Sequence, residues 1–262
     1  MTNCIYCNSG VEKLTDEHII PLGLGGRTIL KEASCIECNK VTSKFELYIL
    51  RGHWLGIRNK LKTGTRHKNK PLPPLPANLI MSDGLKILGT VSVEDCIFQL
   101  VFSLFEPEVI AVPIEGGIKP YARQIGMVMI GVGGPQNFKT KDGRVLKVFH
   151  GQQIEYLLHE FTADNFFRFL SKIAHAYVIK ERGSNACTEF YLPEIILGNT
   201  KDAMKYIGNA PDTAQGIRIN RIDNFHSLQL LEYKDFLTVL IQLFNIPQHD
   251  VQPIYQVVVG KL

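Results

Sequence analysis

The residues with the clearest chemistry are four cysteines near the amino terminus. They form two Cys-x-x-Cys pairs separated by 27 residues, and they are Cys4, Cys7, Cys35 and Cys38. Paired thiolates at this spacing are typical of a single tetrahedral zinc ion, because each short turn directs two sulfur atoms at one cation. Four thiolates leave no open coordination position, so the predicted zinc ion is structural.

The sequence DEHIIP (residues 16–21) lies between the two pairs and is the second chemical feature. If sulfur saturates the zinc ion, His18 is available for another task. A neutral imidazole can accept a proton from water near neutral pH, and the adjacent Glu17 carries a carboxylate that suits a hard cation. A buried histidine that satisfies a backbone carbonyl group is the alternative interpretation.

Short elements must position these residues. The sequence predicts a strand that ends at His18 and is terminated by Pro21, a glycine-containing loop at 23–26, and a second strand over 28–34. A helix is predicted over 39–50, with three apolar residues facing inward: Phe45, Tyr48 and Ile49. Two strands, a zinc-binding loop and a helix would bring Glu17, His18 and Asn39 together.

Several residues together indicate a family. They are the two cysteine pairs, Glu17-His18 followed by IIP, the Gly25-Gly26 turn, and Asn39 directly after the last cysteine. With these features residues 1–50 resemble an HNH endonuclease domain of the ββα-metal type. The resemblance implies that His18 is the general base and that Glu17 and Asn39 bind a catalytic Mg²⁺ or Mn²⁺ ion. Where the family commonly has histidine and aspartate, this chain has Asn39 and Glu17, and the family's middle asparagine has no counterpart. Glu46, on the same helix face as Asn39, is either a further metal ligand or a surface acid.

Positive charge is concentrated beside this segment. Residues 1–76 hold 12 Lys/Arg and 6 Asp/Glu, whereas residues 77–262 hold 17 and 19. Residues 51–70 hold no acid and seven cations: Arg51, Arg58, Lys60, Lys62, Arg66, Lys68 and Lys70. Such a run favours a polyanion, so we expect these side chains to contact nucleic acid, in the first place double-stranded DNA. A solvated charged linker is the alternative.

The chain divides by sequence into three parts. Residues 1–50 form the zinc-supported ββα domain, residues 51–76 a basic connector that ends in PLPPLP, and residues 77–262 a larger mixed α/β domain, so that the predicted fold class is α+β.

The amino terminus is too polar for a signal peptide, and the apolar runs are too short for a membrane span. We therefore expect a cytoplasmic protein that does not associate with membranes.

The larger domain carries clear elements but no recognisable catalytic constellation. Strands are predicted over 85–93, 109–114, 124–132 and 254–259, and a helix over 164–180 with Asp164 as its cap. Residues 237–244 fit either a buried helix or a strand. His175 is interpreted as a packed or surface histidine, and this domain as a recognition, dimerisation or regulatory part.

The resemblance of residues 1–50 implies that the protein is an endonuclease that hydrolyses phosphodiester bonds with the help of a metal ion. Two alternatives stay open. One is a non-catalytic zinc-ribbon protein that binds nucleic acid. The other is a nuclease that is gated by a sensor-like carboxyl-terminal domain.

Overall fold

The computed structural model describes residues 3–52, 54–61, 63, 74–92, 94–95, 98–105, 124–132, 137–157, 162–210, 221–245 and 253–262. These residues form helices and antiparallel sheets, which confirms the predicted α+β class. The helices are α1 (Ile36–Arg51), α2 (Leu55–Lys60), α3 (Ala163–Arg182) and α4 (Leu192–Leu197). The strands are β1 (Thr15–His18), β2 (Ile29–Ser34), β3 (Leu75–Ile80), β4 (Lys86–Val91), β5 (Phe98–Phe105), β6 (Gln124–Val132), β7 (Asn137–Thr140), β8 (Val145–Lys147), β9 (Gln153–Tyr156), β10 (Glu189–Phe190), β11 (Ile207–Asn209), β12 (Ser227–Tyr233), β13 (Phe236–Gln242) and β14 (Ile254–Lys261).

The chain forms two compact units that do not follow its order along the sequence. The first unit comprises Met1–Leu47, Phe102–Val128 and Thr162–Leu262, and the second comprises Tyr48–Val101 and Met129–Phe161. This division differs from the sequence boundaries at 50 and 76, because the amino-terminal segment shares a unit with the carboxyl-terminal hundred residues. None of the described helices is long and apolar enough to cross a membrane.

The amino-terminal part of the first unit has the predicted strand–strand–helix order. β1 and β2 pair antiparallel, with Glu17 opposite Leu30 and His18 opposite Ile29. The loop between them is tight, since Gly25 has a φ of 92° and a side chain at Gly26 would lie 2.0 Å from the carbonyl oxygen of Ile20. Helix α1 starts three residues earlier than predicted. It buries Phe45 and Ile49 as expected, whereas Tyr48 is exposed.

The carboxyl-terminal part of the first unit is an antiparallel sheet with α3 packed on it. The strand order is β10-β14-β13-β12, and β11 also pairs with β14. Helix α3 confirms the prediction over 164–180, and its buried Phe166 contacts the ring of Tyr255 edge-on. The cap of α3 is Thr162 rather than Asp164, because the Thr162 hydroxyl accepts the Asn165 N–H at 3.3 Å.

The second unit contains a sheet of order β8-β7-β4-β3-β9. Its core includes Leu75, Leu79 and Phe138. Strand β3 begins at Leu75, so the last residues of the predicted connector belong to this sheet, while its first residues extend α1 and form α2.

Three of the four strands predicted for the larger domain are present among the described residues. β4, β6 and β14 confirm those over 85–93, 124–132 and 254–259. Residues 109–114 lie outside the described residues. The ambiguous stretch at 237–244 is largely strand β13, which pairs with strands on both sides.

Candidate functional site

The four cysteines converge on one point in the first unit. Cys4 and Cys7 lie in an amino-terminal turn, and Cys35 and Cys38 lie at and just inside the start of α1. Their four Sγ atoms all lie within 4.8 Å of one another, and the Cys7 and Cys35 sulfur atoms are 3.8 Å apart. A tetrahedral ion with bonds of about 2.3 Å gives sulfur–sulfur distances of roughly 3.8 Å. The site therefore fits a zinc ion.

Backbone groups support this cysteine cluster. The Cys35 N–H points at the Cys4 sulfur at 3.3 Å, and the Cys38 N–H points at the Cys35 sulfur at 3.4 Å. Such N–H groups stabilise negative charge on thiolates. The Ile5 N–H donates to the Ala33 carbonyl at 2.9 Å, which ties the amino-terminal turn to β2. Together these contacts prearrange the ligands.

His18 is the last residue of β1 and is half-buried. The two residues after it, Ile19 and Ile20, are fully buried and anchor the chain at Pro21. Asp16 and His18 lie on one face of β1, because side chains alternate along a strand. The Lys31 ammonium lies 2.5 Å from Asp16 and is the main cause that lowers the pKa of that carboxyl group. This face of β1 is thus polar and accessible.

Glu17 points to the opposite, buried face of β1, where it meets a lysine from α3. Only 4% of Glu17 is exposed, and its Oε1 atom lies 2.7 Å from the ammonium nitrogen of Lys172, which is fully buried. Glu46, from α1, approaches the same nitrogen at 2.8 Å. Burial by itself would lower the pKa of Lys172, but the attraction of the two carboxylates outweighs it and raises that pKa. Lys172 is therefore a buried ammonium ion between two carboxylates.

The same ammonium also holds the backbone beside the histidine. It donates to the carbonyl oxygen of His18 and lies 3.3 Å from that of Ile19. The second carboxylate oxygen of Glu17 accepts a hydrogen bond from the Ser34 hydroxyl at 3.3 Å. Both oxygens of Glu17 are consequently engaged by protein donors.

Of the two residues expected to bind a catalytic cation, Glu17 is engaged by protein donors, whereas the role of Asn39 stays a prediction. Glu17 has its oxygens turned to Lys172 and Ser34, and Asn39, half-buried in the first turn of α1, accepts a weak hydrogen bond from Ser43 at 3.4 Å. Glu46 is neither of the alternatives expected from the sequence, since it is the second counter-ion of Lys172. Within the described part of the chain, the cysteines form the one group of three or more His, Cys, Asp or Glu residues with converging ligand atoms.

The described cations of residues 51–70 differ in their exposure to solvent. Arg51 is exposed at the end of α1. Arg58 is buried instead of facing a polyanion: its guanidinium donates to the Leu50 carbonyl at 2.6 Å, and burial lowers its pKa to about 10. Lys60 ends α2, and four cations lie outside the described residues: Lys62, Arg66, Lys68 and Lys70. The prediction of a phosphate contact therefore does not hold for Arg58.

Among the described residues, three side chains of the carboxyl-terminal part donate to the amino-terminal segment, and sequence reasoning missed these contacts. The burial of His175 confirms its interpretation as a packed histidine. Besides Lys172, His175 donates from Nε2 to the Ile5 carbonyl at 2.7 Å, and burial lowers the pKa of His175 to about 4. Lys172 stands three residues after Phe169 and four before Ala176, which are both buried. A charge on the apolar face of a helix was the one available signal.

His226 is the third of these donors, and its two nitrogens have different partners. Nε2 donates to the Leu24 carbonyl at 2.9 Å, and Nδ1 accepts the Phe244 N–H at 3.2 Å. These contacts require the neutral ring. Burial lowers the pKa of His226, in agreement with that requirement.

Comparison with known proteins gives one finding for this segment. Residues 4–50 match the HNH endonuclease family, which confirms the resemblance and includes all four cysteines, Glu17, His18 and Asn39. Comparisons with curated proteins and with solved structures found no match to the chain. The match is confined to residues 4–50 and does not extend to the remaining chain.

Proposed function

We propose that this protein is an endonuclease that hydrolyses phosphodiester bonds in double-stranded DNA. The observation that supports it most is the match of residues 4–50 to the HNH endonuclease family, in a segment where His18 ends strand β1 and four cysteines converge. The phosphodiester substrate follows from that class of enzyme. The exposed Arg51 and the lysines and arginines of residues 60–70 supply positive charge suited to a phosphate backbone.

In the proposed reaction His18 acts as the general base. Its imidazole takes a proton from water, the water oxygen forms a bond to phosphorus, and the bond from phosphorus to the leaving oxygen breaks. A cation such as Mg²⁺ or Mn²⁺ would supply charge neutralisation for the phosphate group. The need for this cation is a prediction of the resemblance, and the acid expected to bind it, Glu17, forms an ion pair with Lys172.

The test is cleavage of supercoiled plasmid by the full chain and by His18→Ala. The matched control is His150→Ala, since His150 is an exposed histidine of the second unit. Mg²⁺ and Mn²⁺ are added separately to protein freed of loosely bound metal, and zinc content is measured in each sample. Parallel reactions with RNA and single-stranded DNA establish the substrate, and size-exclusion chromatography tests whether the chain forms a homodimer through its carboxyl-terminal part, one of the three roles considered for residues 77–262.

We expect His18→Ala to lower the cleavage rate by about 10²–10⁴-fold, the usual contribution of a general base. Melting temperature and DNA affinity should stay near those of wild type, because the substitution keeps the backbone carbonyl of His18 that Lys172 contacts. Equal cleavage by the His18 and His150 variants would contradict the assignment of the base. DNA binding without cleavage in the wild type would favour the non-catalytic binding protein.

A further inference from the structure

The ammonium group of Lys172 lies among four oxygen atoms that belong to two kinds of group. Two are carboxylate oxygens, of Glu17 and Glu46, and two are the backbone carbonyl oxygens of His18 and Ile19. Lys172 is fully buried and Glu17 nearly so, so water contributes little to their solvation. The ammonium group of Lys172, with three N–H donors, thus links α3 to α1 and to the end of β1.

The two carbonyl groups belong to the peptide units on either side of Ile19. On the other side of the strand, the Ile19 N–H donates to the Thr28 carbonyl at 3.1 Å, and His18 lies opposite Ile29 in the ladder. The backbone at His18 is therefore held from β2 and from Lys172. Because the backbone sets the direction of the Cα–Cβ bond, the contact of Lys172 with the His18 carbonyl helps to fix the position and direction of the His18 side chain.

We propose that Lys172 is a positioning residue for His18, and that Glu17 and Glu46 serve as counter-ions of Lys172 instead of ligands of a catalytic cation. The proposal rests on the proposed nuclease function. It assigns the acid of the Glu17-His18 pair to the placement of the histidine. It also makes the nuclease segment depend on a residue 154 positions further along the chain than His18.

The charge balance of this cluster explains why Glu17 stays with Lys172. If Glu17 turned towards a cation in solvent, the buried ammonium would lose one of its two counter-ions, which is costly away from water. Conversely, removing only the lysine would leave the buried carboxylate of Glu17 beside the partly buried carboxylate of Glu46. A fair test therefore needs a variant in which all three charges are removed together.

The experiment uses the full chain and five proteins. They are wild type, Glu17→Gln, Lys172→Met, the neutral triple variant Lys172→Met/Glu17→Gln/Glu46→Gln, and Lys180→Met as control, because Lys180 is an exposed lysine of the same helix. Plasmid cleavage gives kcat and KM, and electron paramagnetic resonance of free Mn²⁺ gives the affinity for Mn²⁺ without DNA. Nuclear magnetic resonance records the imidazole signals of His18, assigned with His18→Ala.

If Lys172 positions His18, the triple variant should melt close to wild type but have a kcat about 10²-fold lower at unchanged KM, the usual cost of a small displacement. Its His18 signals should shift, whereas those of Lys180→Met should not. Glu17→Gln should leave the affinity for Mn²⁺ within twofold of wild type.

Two results would overturn the proposal. A triple variant with wild-type kcat and unshifted His18 signals would show that the cluster only supports the fold. A tenfold weaker affinity for Mn²⁺ in Glu17→Gln would show that Glu17 binds the cation. If the wild type cleaves no nucleic acid, the nuclease proposal fails by itself, and the His18 signals still decide whether Lys172 positions the ring.

Discussion

Replacement of one zinc ligand should weaken the first unit by an amount that can be worked out. Structural zinc contributes about 10–16 kcal/mol in small sites, so each of four thiolates accounts for roughly 2.5–4 kcal/mol. That loss corresponds to a zinc affinity lower by on the order of 10²–10³-fold. We choose Cys38→Ser as the change, because Cys38 is buried in the first turn of α1 and its own N–H supports the Cys35 sulfur.

The structure also shows what would remain without the ion. The turn that carries Cys4 and Cys7 keeps, among other contacts, the hydrogen bonds from the Ile5 N–H to the Ala33 carbonyl and from His175 to the Ile5 carbonyl, and the ring of Tyr6 lies 5.8 Å from that of His175. These neutral hydrogen bonds are worth about 1 kcal/mol each and cannot replace the ion. For a unit of this size, 1 kcal/mol shifts the melting temperature by about 2–4 °C. We therefore expect Cys38→Ser to lower it by roughly 5–15 °C.

The assay combines zinc content, zinc competition and melting. Elemental analysis of wild type should give about one zinc ion per chain, and a chromophoric chelator should remove it far more readily from Cys38→Ser. Cys187→Ser is the matched control, since Cys187 is a half-buried cysteine outside the cluster. Burial raises the pKa of its thiol to about 11. Equal zinc affinity and melting temperature in the two serine variants would refute the reasoning, as would a zinc-free wild type with an intact amino-terminal segment.

Two further predictions concern the buried His226 and the basic residues 51–70. His226 has a lowered pKa in the folded protein, so its stabilising contribution is present above the ordinary histidine pKa of about 6.5 and is lost as the pH falls. Between pH 8 and pH 5 the melting temperature should therefore fall less steeply for His226→Gln than for wild type. Parallel plots of melting temperature against pH would contradict this. Neutralising Lys62, Arg66 and Lys68 should flatten the plot of log affinity for DNA against log salt by up to about 0.9 per contact, on every sequence alike. The buried Arg58→Gln should leave that slope unchanged and lower the melting temperature, whereas an equal change of slope would place Arg58 on the DNA.

The sequence by itself determined the features that depend on neighbouring residues. The spacing of Cys4, Cys7, Cys35 and Cys38 predicted one cluster, because a short turn needs no distant partner to bring two sulfur atoms together. The order β1, β2, α1 and the helix α3 were also predictable, since apolar periodicity reports which face of an element is buried. The HNH resemblance rested on residues of this kind and was confirmed over residues 4–50.

Tertiary structure alone decided which remote groups meet. Nothing near Glu17 in the sequence indicates that its partner is Lys172, and Glu46 could not be assigned until α3 was packed beside α1. The burial of Arg58 was hidden in the same way, because a run of cations looks alike whether a side chain faces solvent or a carbonyl group. Periodicity states that a face is buried but not what covers it. The pairing of buried charges depends on contacts between elements, and those contacts arise only when the chain folds.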